Sequence, residues 1–271
     1  MKKYAFFIDI DGTLVDKKRE VNPGNIAAVN AAREAGCKVF INTGRGRACI
    51  PSEIRALPWD GVISGCGCLL DYNGETVFSN CPDYLKIYEY LKEVEKNGER
   101  CFLEGNDMIF RFNCPESAKK TDEIFARYNE LGRLNLDDWT PLSCAEEILK
   151  YPGVQIPKFN LVGKYDKSVL ARFSRDYDGV VDGYKCELYT KGGGKAAAMM
   201  YVMENILTGY ICVALGDGVN DVDALKAADF SATVSGAAPE VIKMCDYVSP
   251  LTADEGGVGD IIMKFINPTK D

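Results

Sequence analysis

A chain of 271 residues, 46% of them hydrophobic and 27% charged, has an ordinary globular balance and can hold one large domain or two modest ones. No apolar run approaches the length that crosses a bilayer, and a net charge of −8 argues against the basic face of a general polyanion binder, so neither a membrane nor nucleic acid is expected as a partner. The absence of histidine removes Ser-His and Cys-His triads and leaves proton transfer to carboxylates or lysine.

The first predicted strand, residues 4–8, is short, aromatic-rich and uncharged. It begins so early that no signal peptide of usual length fits before it, and a cytoplasmic location is expected. The strand opens onto Asp9-Ile10-Asp11-Gly12-Thr13, two carboxylates two residues apart with Gly12 as a sharp exit. Ligand sites of open α/β sheets lie at the carboxyl ends of strands, and two crowded acids are costly there unless a cation or a reaction needs them. Asn22-Pro23 caps a helix over 26–35, which Gly36 ends. A second strand over 38–41 runs into Asn42-Thr43-Gly44-Arg45. A third covers 61–64, and residues 68–70 and 76–78 form a hairpin around Asn73-Gly74.

From about Pro82 the pattern changes to a long helix over 84–96, strands near 108–112 and 158–162, and a charged helix over 117–131. Further strand segments lie around Val180 and Leu188. This stretch predicts a separate α+β unit inserted into the first fold, with residues 1–81 and 187–271 as the core and 82–186 as the insertion. After Lys195 the alternation resumes: a helix over 196–206, a strand over 210–215 ending in Gly216-Asp217-Gly218, a helix over 219–227, and shorter elements to a last helix after Gly257. The fold class is therefore α/β, a Rossmann-like, doubly wound, mostly parallel sheet carrying an inserted α+β cap.

Polar clusters fall at four predicted strand ends: Asp9 with Asp11, Thr43, the glycine-rich approach to Lys195, and Asp217 through Asp221. Carboxylate pairs about 4 Å apart repel by on the order of 4 kcal/mol at an effective dielectric near 20. Such a cluster calls for a hard divalent cation, and oxygen ligands without histidine or thiolate suit Mg²⁺. A lysine and a threonine beside it suit a phosphoryl group. The 11 cysteines contain no Cys-x-x-Cys pair, so structural zinc is not expected; most, such as Cys37 and Cys212, read as small buried hydrophobes. Lys191-Gly192-Gly193-Gly194-Lys195 suggests a phosphate loop, but Ala196 stands where Ser or Thr would bind metal and the Walker spacing is absent.

Through Asp9-Ile10-Asp11-Gly12-Thr13, Thr43-Gly44-Arg45, Lys195 and Gly216-Asp217-Gly218-Val219-Asn220-Asp221, the chain resembles the haloacid dehalogenase-like hydrolase superfamily over its whole length. The resemblance is to Cof-type sugar-phosphate phosphatases with a subclass IIB cap, and Asp254-Glu255-Gly256-Gly257-Val258 resembles a recurrent C-terminal element of that group. It implies Asp9 as nucleophile, Asp11 as general acid and base, and Thr43 and Lys195 as further catalytic groups. It also implies Mg²⁺ held by Asp9, Asp11 (through its carbonyl) and Asp217, with Asp221 ligating it or orienting a bound water, and with Thr43, Gly44, Lys195 and Asn220 on the phosphoryl group. Arg45 beside the phosphate, and Arg111, Lys158 and Tyr184 of the insertion, are candidate readers of the rest of a small phosphorylated metabolite. A phosphomutase and a non-catalytic sugar-phosphate-binding regulator stay open as alternatives, as does monomer against dimer.

Overall fold

The computed structural model describes residues 2–16, 20–113, 139–182 and 185–267. The chain packs as two units, one of Met1–Gly44, Ser52–Phe78 and Gly194–Asp271, the other of Arg45–Pro51 and Ser79–Gly193. Strands are numbered along the chain: β1 (Tyr4–Ile8), β2 (Lys38–Asn42), β3 (Gly61–Ser64), β4 (Leu69–Tyr72), β5 (Glu75–Ser79), β6 (Arg100–Glu104), β7 (Ile109–Phe112), β8 (Thr140–Leu142), β9 (Lys158–Val162), β10 (Tyr177–Asp182), β11 (Lys185–Thr190), β12 (Ile211–Leu215), β13 (Phe230–Thr233) and β14 (Tyr247–Val248).

In the first unit the strand order is β14-β13-β12-β1-β2-β3-β4-β5. From β14 through β3 all neighbours are parallel, while β4 runs antiparallel to β3. Parallel strands covered on both faces need near-continuous apolar sequence, and Ala5 to Ile8, Val39 to Ile41 and Cys212 to Leu215 are all buried. Phe7, Phe40 and Tyr72 stack in succession, with ring centroids 5.0 and 5.9 Å apart, against a cluster that includes Met199 and Val202. The sheet grows from β1 in opposite directions, through β2 and β3 on one side and β12 to β14 on the other. The crevice of such a sheet lies at this reversal. There Ile8 pairs with Leu215, and the Asp9 amide donates to the Leu215 carbonyl at 3.0 Å, so Asp9 and Gly216-Asp217 leave the sheet side by side.

Local signals hold around this frame. The Asn22 side chain accepts from the Gly24 amide at 2.8 Å at the start of the helix Pro23–Glu34, and Gly36 closes it at φ +81°. Asn73 and Gly74, both at positive φ, turn β4 into β5. The Asp254 carbonyl accepts from Asn22 Nδ2 at 2.8 Å and the Gly259 amide donates to Asn25 at 2.7 Å, so the C-terminal element clasps the start of that helix. Among the described residues no helix is long and apolar enough to cross a membrane.

The second unit is a sheet of order β10-β11-β9-β6-β7-β8, antiparallel except for β7 with β8. Alternation along its strands divides the faces. Cys101, Leu103, Phe110, Phe112, Phe159, Leu161 and Leu188 pack with Ile87, Tyr90, Leu91 and Val94 of the helix Tyr84–Lys96. In register with them on the opposite face stand Phe102, Glu104, Arg111, Lys158, Asn160 and Glu187.

Three expectations change here. The boundary at 186/187 falls inside β11, whose pairing with β9 and β10 carries the chain in the second unit to Gly193, and the residues after Gly44 up to Pro51 also pack with that unit. β6 was not expected; it is the strand that joins β7 to β9. Lys195 does not follow a strand of the main sheet but is the first residue of the helix Lys195–Asn205. The helix expected over 117–131 and Tyr184 lie outside the described residues.

Candidate active site

Asp9 begins a tight loop. Gly12 adopts φ +89°, its amide donates to the Val15 carbonyl at 2.7 Å, and the Val15 amide returns to Ile10 at 2.9 Å. Ile10, Leu14 and Val15 are buried, so this turn is packed from beneath while Asp11 stays half-buried at the rim. A side chain at Gly12 would collide with the Asp217 carboxylate: a Cβ there would lie 2.1 Å from Asp217 Oδ2. Glycine is thus required twice, for the left-handed backbone and for the approach of a second acid. Thr13 Oγ1 donates to Asp217 Oδ1 at 3.2 Å and orients it.

Lys195 is 4% exposed, and its Nζ lies 2.5 Å from both Asp9 Oδ1 and Asp221 Oδ1. The other Asp221 oxygen accepts from the Asp217 and Gly218 amides at 3.1 and 3.0 Å, so Asp221 locks the 217–221 turn while holding the lysine. A Cβ on Gly216 would meet the Asp221 side chain at 2.4 Å, a second place where only glycine fits. Burial alone would lower the Lys195 pKa, but the charges of Asp9 and Asp221 and hydrogen bonds to both raise it above the usual lysine value. Burial pushes the Asp9 carboxyl well above its ordinary range; Lys195 pulls it down, and Asp221 and Asp11 add to the rise. Burial followed by the Asp221 charge pushes Asp217 up to about 6.

Asp9, Asp217 and Asp221 each offer a carboxylate oxygen within 4.8 Å of the others. With Asp11 the site sets four carboxylates against one ammonium, a formal charge of −3. An all-oxygen, net-negative donor set at a sheet reversal fits a hard divalent cation such as Mg²⁺.

On the β2 side, Thr43 is buried and its amide continues the ladder to the Ile63 carbonyl at 2.9 Å. A Cβ on Gly44 would touch Asn220 Nδ2 at 3.8 Å and Cys66 Sγ at 3.4 Å, which brings the expected phosphate-side residues Gly44 and Asn220 together. Asn220 is exposed. Arg45 is different: it packs in the second unit, with Nη1 donating to the Cys49 carbonyl at 2.8 Å.

Sequence reasoning missed the loop after β3. Gly65, Cys66 and Gly67 are three consecutive residues at positive φ; the Cys66 amide donates to Thr43 at 3.3 Å, and the Gly194 amide donates to Cys66 at 2.7 Å. A Cβ on Gly67 would lie 2.0 Å from the Gly194 carbonyl oxygen. This loop and Asn42, whose Nδ2 donates to the Lys195 carbonyl at 3.3 Å, tie Thr43 to the helix that starts at Lys195. The glycines flanking Cys66 were the available signal. Thr13, missed as the partner of Asp217, is the last residue of the Asp9-Ile10-Asp11-Gly12-Thr13 motif.

A family model described as haloacid dehalogenase-like hydrolase matches residues 6–262. The chain is 25% identical to an uncharacterized hydrolase of Schizosaccharomyces pombe, over 97% of this chain and 90% of that one. It is 24% identical to a phosphoglycolate phosphatase of Methanothermobacter thermautotrophicus, over 97% and 98%. A solved structure of a haloacid dehalogenase subclass IIB sugar phosphatase superimposes with a TM-score of 0.75 at 23% identity, covering 97% of this chain and 98% of that one, a likeness of fold.

Proposed function

From the premise that this chain belongs to the haloacid dehalogenase-like hydrolase family, we propose that it is a Mg²⁺-dependent phosphatase of small phosphorylated metabolites, with sugar phosphates as the substrate class. The observation that carries the reading is Lys195 Nζ bridging Asp9 and Asp221 beneath a net-negative cluster at the sheet reversal. A nucleophilic carboxylate must be ionised, and the Lys195 ammonium favours that form against the burial that opposes it.

Asp9 attacks phosphorus and forms an aspartyl-phosphate while the ester bond to the leaving oxygen breaks. Asp11, at the rim of the same turn, protonates that oxygen; it then takes a proton from water, whose oxygen displaces phosphate and restores Asp9. Thr43, the Gly44 amide, Lys195 and Asn220 hold phosphoryl oxygens, and Thr13 and the 217–221 turn keep the acids in place. Asp9, the Asp11 carbonyl, Asp217 and Asp221 would hold Mg²⁺, which supplies charge neutralisation for the phosphoryl group.

The test is a panel of phosphate esters incubated with the purified protein and Mg²⁺, read as inorganic phosphate. Release that stops on chelation and returns on adding Mg²⁺ is expected. Isomerised sugar phosphate without free phosphate would replace the reading with a phosphomutase; tight binding without turnover would replace it with a regulator.

A further inference from the structure

The residues after Gly44 belong in sequence to the first unit, yet they pack on the second. Their anchor is Glu104, the last residue of β6 and 4% exposed. Glu104 Oε2 accepts from the Gly46 amide at 2.8 Å, and Oε1 accepts from Asn160 Nδ2 at 3.0 Å, with Lys158 Nζ at 3.6 Å. Lys158 in turn pairs with Glu187 at 3.0 Å. Around this contact the Ala48 amide donates to the Gly105 carbonyl at 3.2 Å, and Arg47 reaches the Asn106 carbonyl at 3.1 Å and Asp107 at 2.6 Å.

Gly46 admits no substituent: a Cβ would lie 2.6 Å from Glu104 Cβ and 3.1 Å from its backbone. The turn closes when the Cys49 amide donates to the Gly46 carbonyl at 2.8 Å, and Arg45 Nη1 folds back onto the Cys49 carbonyl. One buried carboxylate therefore holds the Gly46 amide of the turn on which the Arg45 guanidinium rests. A buried charge-assisted acceptor is costly to leave unmade, which makes this grip specific to a carboxylate with several donors around it.

We propose that Glu104 is a positioning residue for substrate binding, holding the 45–51 turn so that Arg45, bonded directly to the phosphate-side Gly44, is presented in one orientation. This rests on the reading of Arg45 as a substrate contact. It makes the affinity for a phosphate ester a property of a strand more than fifty residues beyond Arg45 in the chain.

The experiment compares Arg45→Ala, Glu104→Ala, Glu104→Gln and the Arg45→Ala/Glu104→Ala pair by kcat and KM on the best ester of the panel, and by hydrogen exchange of residues 45–51. Glu104→Ala should raise KM about tenfold, the effect of one lost hydrogen bond near 1.4 kcal/mol, with kcat little changed, and should match Arg45→Ala. The double variant should be no worse than either single one. Glu104→Gln keeps an acceptor for Gly46, and Asn160, whose Oδ1 has no partner among the described residues, can turn its amide to meet the new one; KM should return toward the parent value. Exchange in 45–51 should speed at least tenfold in Glu104→Ala while β9 keeps its protection.

Additive effects of Arg45→Ala and Glu104→Ala, or an unchanged KM in a folded Glu104→Ala protein, would overturn the proposal. So would loss of protection throughout the second sheet, the signature of a merely structural carboxylate. If Glu104→Ala does not fold, Gly46→Ala breaks the same contact from the other side and must raise KM in its place. A parent protein that releases no phosphate would fell the phosphatase reading alone, since the exchange measurement still decides whether Glu104 holds the turn.

Discussion

The two units bury charge in opposite ways. In the first, Asp9, Asp217 and Asp221 surround a single Lys195 at the carboxyl ends of parallel strands, leaving the cluster net negative. In the second, Glu104 and Glu187 both pair with Lys158, and Arg111 stands on the same sheet face, so two acids and two bases share it. Unbalanced buried charge is tolerated where a cation and a reacting anion complete it, whereas balanced charge is complete in itself. On the proposed function, the difference separates a site that reacts from a network that holds shape.

The sharpest test of that contrast is Asp9→Asn. It keeps the shape and removes the charge proposed to attack phosphorus, and turnover should fall by at least about 10⁴-fold. Thermal stability should hold, because one of the crowded acids is neutralised. Near-parental phosphate release from this variant would show that the first unit's charge is as structural as the second's.

Lys158→Met should reverse the pattern. It leaves buried Glu104 and half-buried Glu187 without their ammonium, and chemical denaturation should report a loss of about 3 kcal/mol. Turnover at saturating ester should change far less than in Asp9→Asn; a collapse of kcat in the folded variant would make Lys158 part of the reacting site.

Asp60 gives the smallest kinetic effect and tests position within one sheet. It lies at the amino end of β3, accepting from the Val39 amide at 2.9 Å and pairing with Lys38 at 2.9 Å and Arg33 at 3.3 Å. Asp60→Ala should cost about 1–3 kcal/mol of stability through the unmet buried amide, with kcat and KM unchanged. Altered kinetics would contradict the rule that only the carboxyl edge of the sheet is reactive.

Much of the first unit was legible because its elements are short, apolar and punctuated. Residues 4–8 read as a buried strand, Asn22-Pro23 as a cap, Asn73-Gly74 as a hairpin turn, and the acidic motifs fell where strands end. The second unit hid more. β6 begins with Arg100 and ends with Glu104, and nothing local says that both glutamate oxygens will find donors from Gly46 and Asn160, 58 residues before it and 56 after it. Lys195 was found by its motif but misplaced at a strand end, since the preceding strand β11 pairs in the other sheet.

The sequence by itself determined the alternation of strand and helix, the order of the acidic motifs and the need for glycine at sharp exits, because these follow from side-chain period, backbone sterics and the cost of crowding carboxylates. Only the tertiary structure decided which acids share Lys195, that Gly12 makes room for Asp217, and that the turn after Gly44 is held by Glu104. Each of those depends on pairing between residues far apart in the chain, which local patterns do not encode.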